Sequence, residues 1–303
     1  MASITRAEVA TLIQEEYGPY VLKAAEAGST ALAAFPKVNM GTKVANMPVL
    51  ATLPEAEWVG DTDNTDVKTT SKATWGNKKL VAEEIAVIVP VHENTLDDAT
   101  EDILQELASL GGQAIGKTLD QACLFGVNKP ASWTSDDLFT AAVKASQVQQ
   151  VATGEDDLYG SIIKAARLVS TAGFSPSALI AHDALRLDLM NLRGGDGHLL
   201  LTDDGIRGFS TTYFNRNGAW STDQAIALAA DPSLVRIGIR QDVTVKLLDQ
   251  ASITGLGNLA ELDMVALRFK ARFAYVLGKV ATAKSVGDDD QKTPVAAVIP
   301  AAE

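Results

Sequence analysis

The sequence predicts an α+β protein, because it contains both long alternating strands and one long helix. Residues 80–91 alternate between apolar and polar side chains, which is the pattern of a half-buried strand. The segment that follows, up to Gly126, carries apolar residues at helical spacing. Residues 264–275 alternate again, with one apolar face and one face that carries three cations. We expect the strand at 264–275 to pair with the strand at 80–91, far away in the chain.

The N-terminal residues predict two short helices. Thr5 and Glu8 have the spacing of a capping box at the start of the first helix. The second would begin at Pro19, which suits a first helical position, and end at Gly28. Since such short helices are marginal in water by themselves, we expect residues 1 to about 35 to form an arm that needs a docking surface and finds none within its own chain.

A long polar excursion follows strand-like stretches that Gly41 and Pro48 interrupt. Residues 46–79 are rich in threonine and contain two prolines and two glycines. Connections longer than about 12–15 residues are uncommon in compact domains and are usually functional or disordered. The excursion therefore indicates a surface that another molecule completes.

The long helix is predicted to be capped by Thr95, with acidic residues in its first turn, where the helix dipole favours negative charge. Gly111 and Gly112 lie inside it, and each costs about 1 kcal/mol relative to alanine. We therefore expect another backbone to approach closely there, or the helix to bend. The predicted stripe comprises Ile103, Leu104, Leu107, Leu110, Ala114, Ile115, Thr118, Leu119 and Ala122.

The second half reads as mixed α/β. The patterns predict helices over 135–150, 156–172 and 183–192, a loop over 193–198, and strands over 178–182, 225–230, 235–239 and 243–248. The tail from Asp288 is rich in aspartate, proline and alanine, and is expected to be disordered or loosely attached.

Composition excludes several classes of protein. The net charge of −12 and the pI near 4.7 disfavour tight sequence-specific binding to nucleic acid. The single cysteine, Cys123, excludes an intrachain disulfide and is expected to be a buried apolar residue. The sequence shows neither a secretory signal nor a membrane span.

Catalytic candidates are few, so no enzyme, metal or cofactor is predicted. His92 and His182 read as residues at strand ends, and GFSPS (173–177) lacks the closing glycine of a nucleophile elbow. Acidic residues around the loop at 193–198, among them Asp196, do not match a metal motif. Arg268, Lys270 and Arg272 form a basic stripe. We expect these cations to pair with neighbouring carboxylates, with nucleic-acid contact as the alternative.

Three segments together resemble the major capsid protein of tailed bacteriophages, of the Hong Kong 97 fold type. They are LVAEEIAVIVPVHENTLDDATEDILQELASLGGQAIGKTLDQACLFG (80–126), FSPSALIAHDALRLDLMNLRGGDGHLLL (174–201) and LDMVALRFKARFAYVL (262–277). They are similar to that family's strand and long spine helix, to its later strand, helix and loop, and to its final long strand. The resemblance covers about residues 36–282.

The resemblance implies the domain organisation of that fold. The implied parts are an N-terminal arm (1–45), an extended E-loop (46–79), a peripheral domain (80–150 and 259–286), an axial domain (151–258) and a C-terminal tail (287–303). The loop at 193–198 would lie at the tip of the axial domain. Because Met1 stands almost at the start of the arm, we expect any scaffolding protein to be a separate chain or to have been cleaved away.

The resemblance implies a shell protein of the virion, assembled in the host cytoplasm as hexamers and pentamers around double-stranded DNA. Its implied partners are other copies, a scaffolding protein, a portal and a decoration protein. Candidate inter-subunit contacts are Trp58, Lys68, Lys72 and Trp75 in the E-loop and Arg193 and Asp196 in the axial loop. Some relatives cross-link through an E-loop lysine, but the partner asparagine is not identifiable by motif here.

Two alternatives stay open at the level of sequence. An encapsulin-type compartment shares the fold but houses an enzyme, and its contents would distinguish it from a phage shell. A soluble α/β hydrolase would lack a convincing nucleophile, base and acid, and would run as a small oligomer in gel filtration.

Overall fold

The computed structural model of the 303-residue chain describes residues 20–21, 23–53, 74–97, 103–151, 158–190, 206, 208–278, 281–282 and 292–301. Its helices are α1 (20–28, apart from residue 22), α2 (Thr30–Ala34), α3 (Glu93–Asp97), α4 (Ile103–Phe125), α5 (Leu138–Lys144), α6 (Leu158–Thr171) and α7 (Asp183–Met190).

Strands form two larger sheets and two small ones in the described residues. They are β1 (Lys37–Met40), β2 (Val44–Leu53), β3 (Thr74–Val81), β4 (Glu83–His92), β5 (Val148–Gln150), β6 (Ala178–His182), β7 (Thr211–Asn215), β8 (Ala227–Ala230), β9 (Val235–Leu248), β10 (Ser252–Ile253), β11 (Gly257–Asn258), β12 (Met264–Leu277), β13 (Ala281–Thr282) and β14 (Val295–Ile299).

The first larger sheet has four strands in the order β1-β9-β12-β4. Strand β12 pairs with β4 in antiparallel register from Met264–His92 to Phe273–Glu83, so the predicted long-range pairing is confirmed. The predicted core face is confirmed too, because Phe269, Phe273 and Tyr275 are buried. This face belongs to the same apolar core as the buried residues of α4.

Two strand boundaries differ from the prediction. The segment at 80–91 is divided at Ala82, which separates β3 from β4. The two strands predicted over 235–239 and 243–248 are one strand, β9. Its pairing with β12 shifts register between Lys270 and Arg272, and this irregularity absorbs the extra polar residues of β9 without ending the ladder. Strand β2 likewise runs through Pro48.

The second larger sheet has five strands in the order β5-β14-β8-β6-β7. Its strand β14 corrects the prediction of a loose C-terminal tail, because Val295, Ala296, Ala297 and Val298 are fully buried between β5 and β8. The aspartates around 288–290 dominated the composition of the tail and obscured a five-residue apolar run that fits a central strand. The helix predicted over 135–150 is confirmed only as α5 (Leu138–Lys144), because Val148–Gln150 forms strand β5.

The long helix α4 differs from the prediction at its start and on its exposed side. Thr95 lies inside the short helix α3 and does not cap α4, and residues 98–102 lie outside the described residues. The expected end is confirmed, since Gly126 has φ +68, a conformation that glycine adopts without strain. Leu110, Ala114 and Thr118 were expected in the buried stripe but are exposed, and Leu110 is 52% exposed.

The predicted helix ending at Gly28 is confirmed as α1, whereas the helix predicted around Thr5 lies outside the described residues. Over residues 20–35, the arm packs against a surface of its own chain. Val21, Ala25 and Leu32 are buried and belong to the core cluster that contains α4. The expectation that this stretch needs another molecule for docking is therefore wrong.

Candidate functional site

Three segments converge on one buried carboxylate, Asp120 of α4, which accepts hydrogen bonds from two backbone amides and three side chains. The donors are the Ser29 hydroxyl at 2.6 Å, the Thr30 and Ala31 amides at 2.9 Å, and the side-chain amides of Asn215 at 3.1 Å and Asn217 at 2.7 Å. We call this group of residues the Asp120 junction. It connects the N-terminal helices, α4 and the end of β7.

The start of α2 suits a negative charge. Ser29 is its N-cap and accepts a hydrogen bond from the Leu32 amide, while it donates to Asp120. The free amides of Thr30 and Ala31 point at the carboxylate, so the orphan donors of a helix N-terminus are satisfied. Burial raises the pKa of the Asp120 carboxyl, and the hydrogen bonds from Ser29, Ala31 and Thr30 oppose that shift.

Small residues let α4 approach both of its neighbours closely. A Cβ on Gly111 would lie 2.6 Å from the Phe269 ring of β12, and a Cβ on Gly112 would lie 2.5 Å from the Val21 carbonyl oxygen of α1. The prediction of a close backbone approach at this glycine pair is confirmed for Gly112. Helix α4 is therefore held between the four-stranded sheet and the N-terminal helices.

The outer face of the four-stranded sheet is rich in cations. Residues directly opposite one another in the register share a face, so this basic face comprises Arg240, Lys246, Arg268, Lys270 and Arg272. Glu84 of β4 lies opposite Arg272 on the same face. It pairs with Lys270 at 2.7 Å and with Arg272 at 3.4 Å.

Ion pairing is thus confirmed for two of the three cations of the predicted stripe. The hydrogen bond and charge of Lys270, together with those of Arg272, lower the pKa of the Glu84 carboxyl, although its partial burial opposes this. Arg268 differs, because its buried Nε has no hydrogen-bond partner in the described part of the chain. Glu84 thus pairs with two of the five cations that the register places on this face.

The described ends of the polar excursion form a two-stranded ladder. Strands β2 and β3 pair in antiparallel register from Val44–Val81 to Thr52–Thr74. At the base, Leu80 is buried in a small cluster with Met40 and Ala274. Of the predicted contact residues, Trp75 lies in β3 opposite Leu50. The others lie outside the described residues: Trp58, Lys68, Lys72, Arg193 and Asp196.

The candidate residues His92, His182 and Ser175 lie at strand ends and in a turn. His92 and His182 end β4 and β6, as predicted, and His182 Nδ1 accepts a hydrogen bond from the Ala184 amide. Ser175 lies in the turn before β6, where its amide donates to Asp231. Cys123 is buried, as expected. Among the residues that the structure describes, no three acidic, histidine or cysteine side chains group as metal ligands, and no helix is long and apolar enough to cross a membrane.

The Asp120 junction was not predicted from the sequence. One signal was available, since Asp120 follows Leu119 and precedes Ala122 on the apolar stripe of the long helix, where a carboxylate must find partners. The identity of those partners was not available, because Ser29 and Asn215 are 91 and 95 positions away from it in the chain.

Comparison with known proteins identifies the family. The family model described as "Phage capsid family" matches residues 10–285. A solved structure from Mycobacterium phage Adephagia shares 54% identity and a TM-score of 0.80, covering 100% of this chain and 99% of that one. A structure from Mycobacterium phage Cain shares 55% identity and a TM-score of 0.79, covering both chains completely.

A structure from Microbacterium phage Oxtober96 shares 39% identity and a TM-score of 0.77, covering 99% of this chain and 100% of that one. The comparison with curated proteins found no match. The family match supports the capsid hypothesis over both alternatives, the hydrolase and the enzyme-housing compartment. The chain belongs to the phage capsid family, and its function is that of a phage major capsid protein.

Proposed function

We propose that copies of this chain build an icosahedral shell of hexamers and pentamers that encloses the double-stranded DNA of a tailed phage. The proposed parts are an N-terminal arm (1–45), an E-loop (46–79), a peripheral domain (80–150 and 259–286) with α4 as its spine helix, and an axial domain (151–258). The buried strand β14 supports adding residues 295–299 to the axial unit, since its partners include β8.

The observation that carries the proposal is the charge of the basic face in a chain whose net charge is −12. Residues 54–73, between β2 and β3, contain five carboxylates and two lysines. An acidic loop of one copy and the basic face of the next are complementary in charge. Such contacts select the partner and its register more than they add affinity. Closed symmetric assembly repeats each weak contact many times.

The overall negative charge suits a container for DNA. A cationic inner wall would hold the genome and hinder its entry and exit, whereas an acidic wall repels phosphate groups and leaves the DNA free to move. We further propose that shells assemble in the host cytoplasm and involve a scaffolding protein, a portal and a decoration protein.

The remaining predicted contacts belong to the same proposal. Trp58 and Trp75 would contact a neighbouring copy from the E-loop, and Arg193 and Asp196 would contact neighbours around a local symmetry axis. Lys68 and Lys72 are proposed as surface lysines at subunit contacts. Replacing both lysines by glutamine would show on a denaturing gel whether either one forms a covalent link between subunits.

Removal of the loop tests the shell hypothesis. Residues 55–72 would be replaced by a short Gly-Ser linker, which keeps the β2–β3 ladder of Val44–Leu53 and Thr74–Val81 intact. We expect a folded subunit with an unchanged thermal midpoint that forms no shells in electron micrographs. The lysine-to-glutamine variant serves as the matched control and should still form shells. Normal particles from the deletion variant would refute the role of the loop.

A further inference from the structure

A cleft of about 570 Å³ lies between the N-terminal helices, α4 and strand β7. Its helical walls include small or short side chains, among them Ala24, Ala27 and Ser109. Its third wall is formed by Thr212, Tyr213 and Phe214. Because alternate side chains of a strand point to opposite faces, three consecutive residues along one wall mean that the edge of β7, and not one of its faces, borders the cleft.

Strand β7 is at the end of the five-stranded sheet, and its strand partner among the described residues is β6. The Thr211 amide donates to the Ser177 carbonyl beside β6 at 3.1 Å. This bond shows that Thr211 directs its backbone groups towards β6. Since the N–H and C=O groups of successive residues point to opposite sides of a strand, it also determines the direction for the other residues of β7. Thr212 and Phe214 therefore direct their backbone N–H and C=O groups away from β6, towards the cleft.

The sequence of this edge favours pairing. Edge strands of isolated proteins are commonly protected by lysine, proline, a bulge or a covering element. The strand TTYFN has neither lysine nor proline, and its register with β6 is regular from Ala178–Thr211 to His182–Asn215. Threonine, tyrosine and phenylalanine are strong strand formers. The outer edge of β7 is therefore suited to pairing with another strand.

We propose that an extended segment of a second copy of this chain enters the cleft and pairs with Thr212 and Phe214 as a sixth strand. Strand addition at a sheet edge gains affinity from main-chain hydrogen bonds and specificity from the pockets for alternate side chains. This inference rests on the proposed shell function, in which identical copies surround each subunit at high local concentration. Arg216 at the cleft, two-thirds exposed and paired with Asp183, adds a cation that favours a segment from this acidic chain.

Hydrogen exchange on purified protein tests the proposal directly. Peptides that cover 211–215 would be compared between unassembled subunits and shells made from this chain alone. We expect the Thr212 and Phe214 amides to exchange at least tenfold more slowly in shells, whereas the Thr211 amide, already bonded to Ser177, changes little. Shells in which the two amides exchange as fast as in subunits would overturn the proposal and leave the shell function intact. Failure to form any particle, even in cells that also express the other structural proteins of the phage, would contradict the shell function instead.

Two substitutions provide a matched second test. Thr212→Pro removes one outward N–H and keeps the ladder to β6, because proline is tolerated where an edge strand faces away from its partner. Thr212→Val keeps the N–H and the strand preference. We expect both subunits to fold with similar thermal midpoints, and the proline variant to give at least tenfold fewer shells than the valine variant. Equal yields would overturn the proposal; if the proline variant does not fold, the exchange measurement decides.

Discussion

The Ser29 hydroxyl donates a hydrogen bond of 2.6 Å to Asp120 Oδ1 across 91 positions of sequence. Ser29 starts α2, and Asp120 lies near the end of α4, so this single contact fixes the N-terminal helices to the long helix. The same carboxylate binds Asn217, which follows β7. The junction therefore holds the end of β7, in the five-stranded sheet, against the N-terminal helices and α4.

Replacing Asp120 by alanine should destabilise the subunit strongly. The change leaves the buried amides of Thr30 and Ala31 without an acceptor, and each unsatisfied buried group costs about 1–3 kcal/mol. We expect a loss of about 3 kcal/mol in the free energy of unfolding, measured by urea denaturation. Ser29→Ala should cost about 1 kcal/mol, because it removes a helix cap.

A matched control for Asp120 lies on the same helix. The Thr118 hydroxyl is exposed and bonds only to the Ala114 carbonyl of its own helix among the described partners. Thr118→Ala should change the free energy of unfolding by less than about 0.5 kcal/mol. Equal effects of Thr118→Ala and Asp120→Ala would contradict the assigned role of the junction.

Gly112→Ala should destabilise the protein even though alanine favours helices by about 1 kcal/mol over glycine. The added Cβ would lie 2.5 Å from the Val21 carbonyl oxygen and 2.8 Å from the Ala24 Cβ, so α1 has to move. We expect a lower thermal midpoint and faster proteolysis of residues 20–35. The control is Gly41→Ala, where nothing lies within 4 Å of the new Cβ. A higher midpoint for Gly112→Ala would show that α1 does not rest on α4 in solution.

Two carboxyl groups should contribute opposite pH dependences. Burial raises the pKa of Asp120 above its ordinary 3.8 in the folded chain. The stability that this group contributes is therefore full below pH 3.8 and is lost as the pH rises through the folded pKa. Lys270 lowers the pKa of Glu84 below its ordinary 4.5, so that contribution is present above pH 4.5 and is lost as the pH falls through the folded pKa.

Unfolding by urea at several pH values checks both signs. The stability difference between the native chain and Asp120→Asn should decrease as the pH rises from 3.5 to 7, and the difference for Glu84→Gln should increase over the acidic part of that range. The Glu84 effect should be small, because its side chain is 42% exposed and screened by solvent. If the stability differences of the two variants change with pH in the same direction, the environments assigned to Asp120 and Glu84 are wrong.

Truncation after residue 291 should abolish folding. It removes β14, which pairs with β5 on one side and β8 on the other, and so leaves an apolar gap in the middle of the sheet. We expect insoluble protein on expression. Removal of residues 302–303 alone should have no effect. The milder change Val298→Ala should cost about 2 kcal/mol by loss of two buried methyl groups and the cavity that they leave. Soluble, cooperatively folded protein from the long truncation would contradict the central place of β14.

Charge reversal on the basic face should impair assembly more than folding. The double substitution Lys270→Glu and Arg272→Glu replaces two positive charges of the sheet's outer face by negative ones, the sign that dominates residues 54–73. It also breaks the pairs with Glu84. We expect folded subunits and few shells, counted in electron micrographs. Glu84→Gln is the control, because it breaks the same pairs and keeps the positive charge. Loss of shells in both variants to the same degree would assign the effect to the ion pairs and not to the charge of the face.

The hydrophobic pattern and the positions of glycine were sufficient to predict the parts of the fold that follow one sequence period. Strand β12 follows the predicted alternation, with Phe269 on the core face and Lys270 on the outer one, because one buried face forces a period of two. The end of α4 at Gly126 follows from the residue's left-handed conformation. The close approach at Gly112 follows from the absence of a side chain.

Composition was misleading where a short apolar run follows charged residues. The aspartates at 288–290 masked β14, whose burial depends on β5 and β8 from distant parts of the chain. The helix predicted over 135–150 is confirmed only over Leu138–Lys144 for a related reason, since Val148–Gln150 becomes a strand only because β14 lies beside it. Secondary structure at both places is decided by a partner and not by local preference.

Local periodicity and summed charge are enough to predict the class of the fold, the long helix, the alternating strands and the negative net charge. The donors that Asp120 receives from Ser29 and Asn217, and the place of Thr212 at a sheet edge beside a cleft, depend on how distant segments pack together. A carboxylate on the apolar side of a helix predicts that hydrogen-bond partners exist, but the sequence does not identify them. Partners are chosen when packing brings three separate segments to one point and removes the water that would otherwise have satisfied the charge.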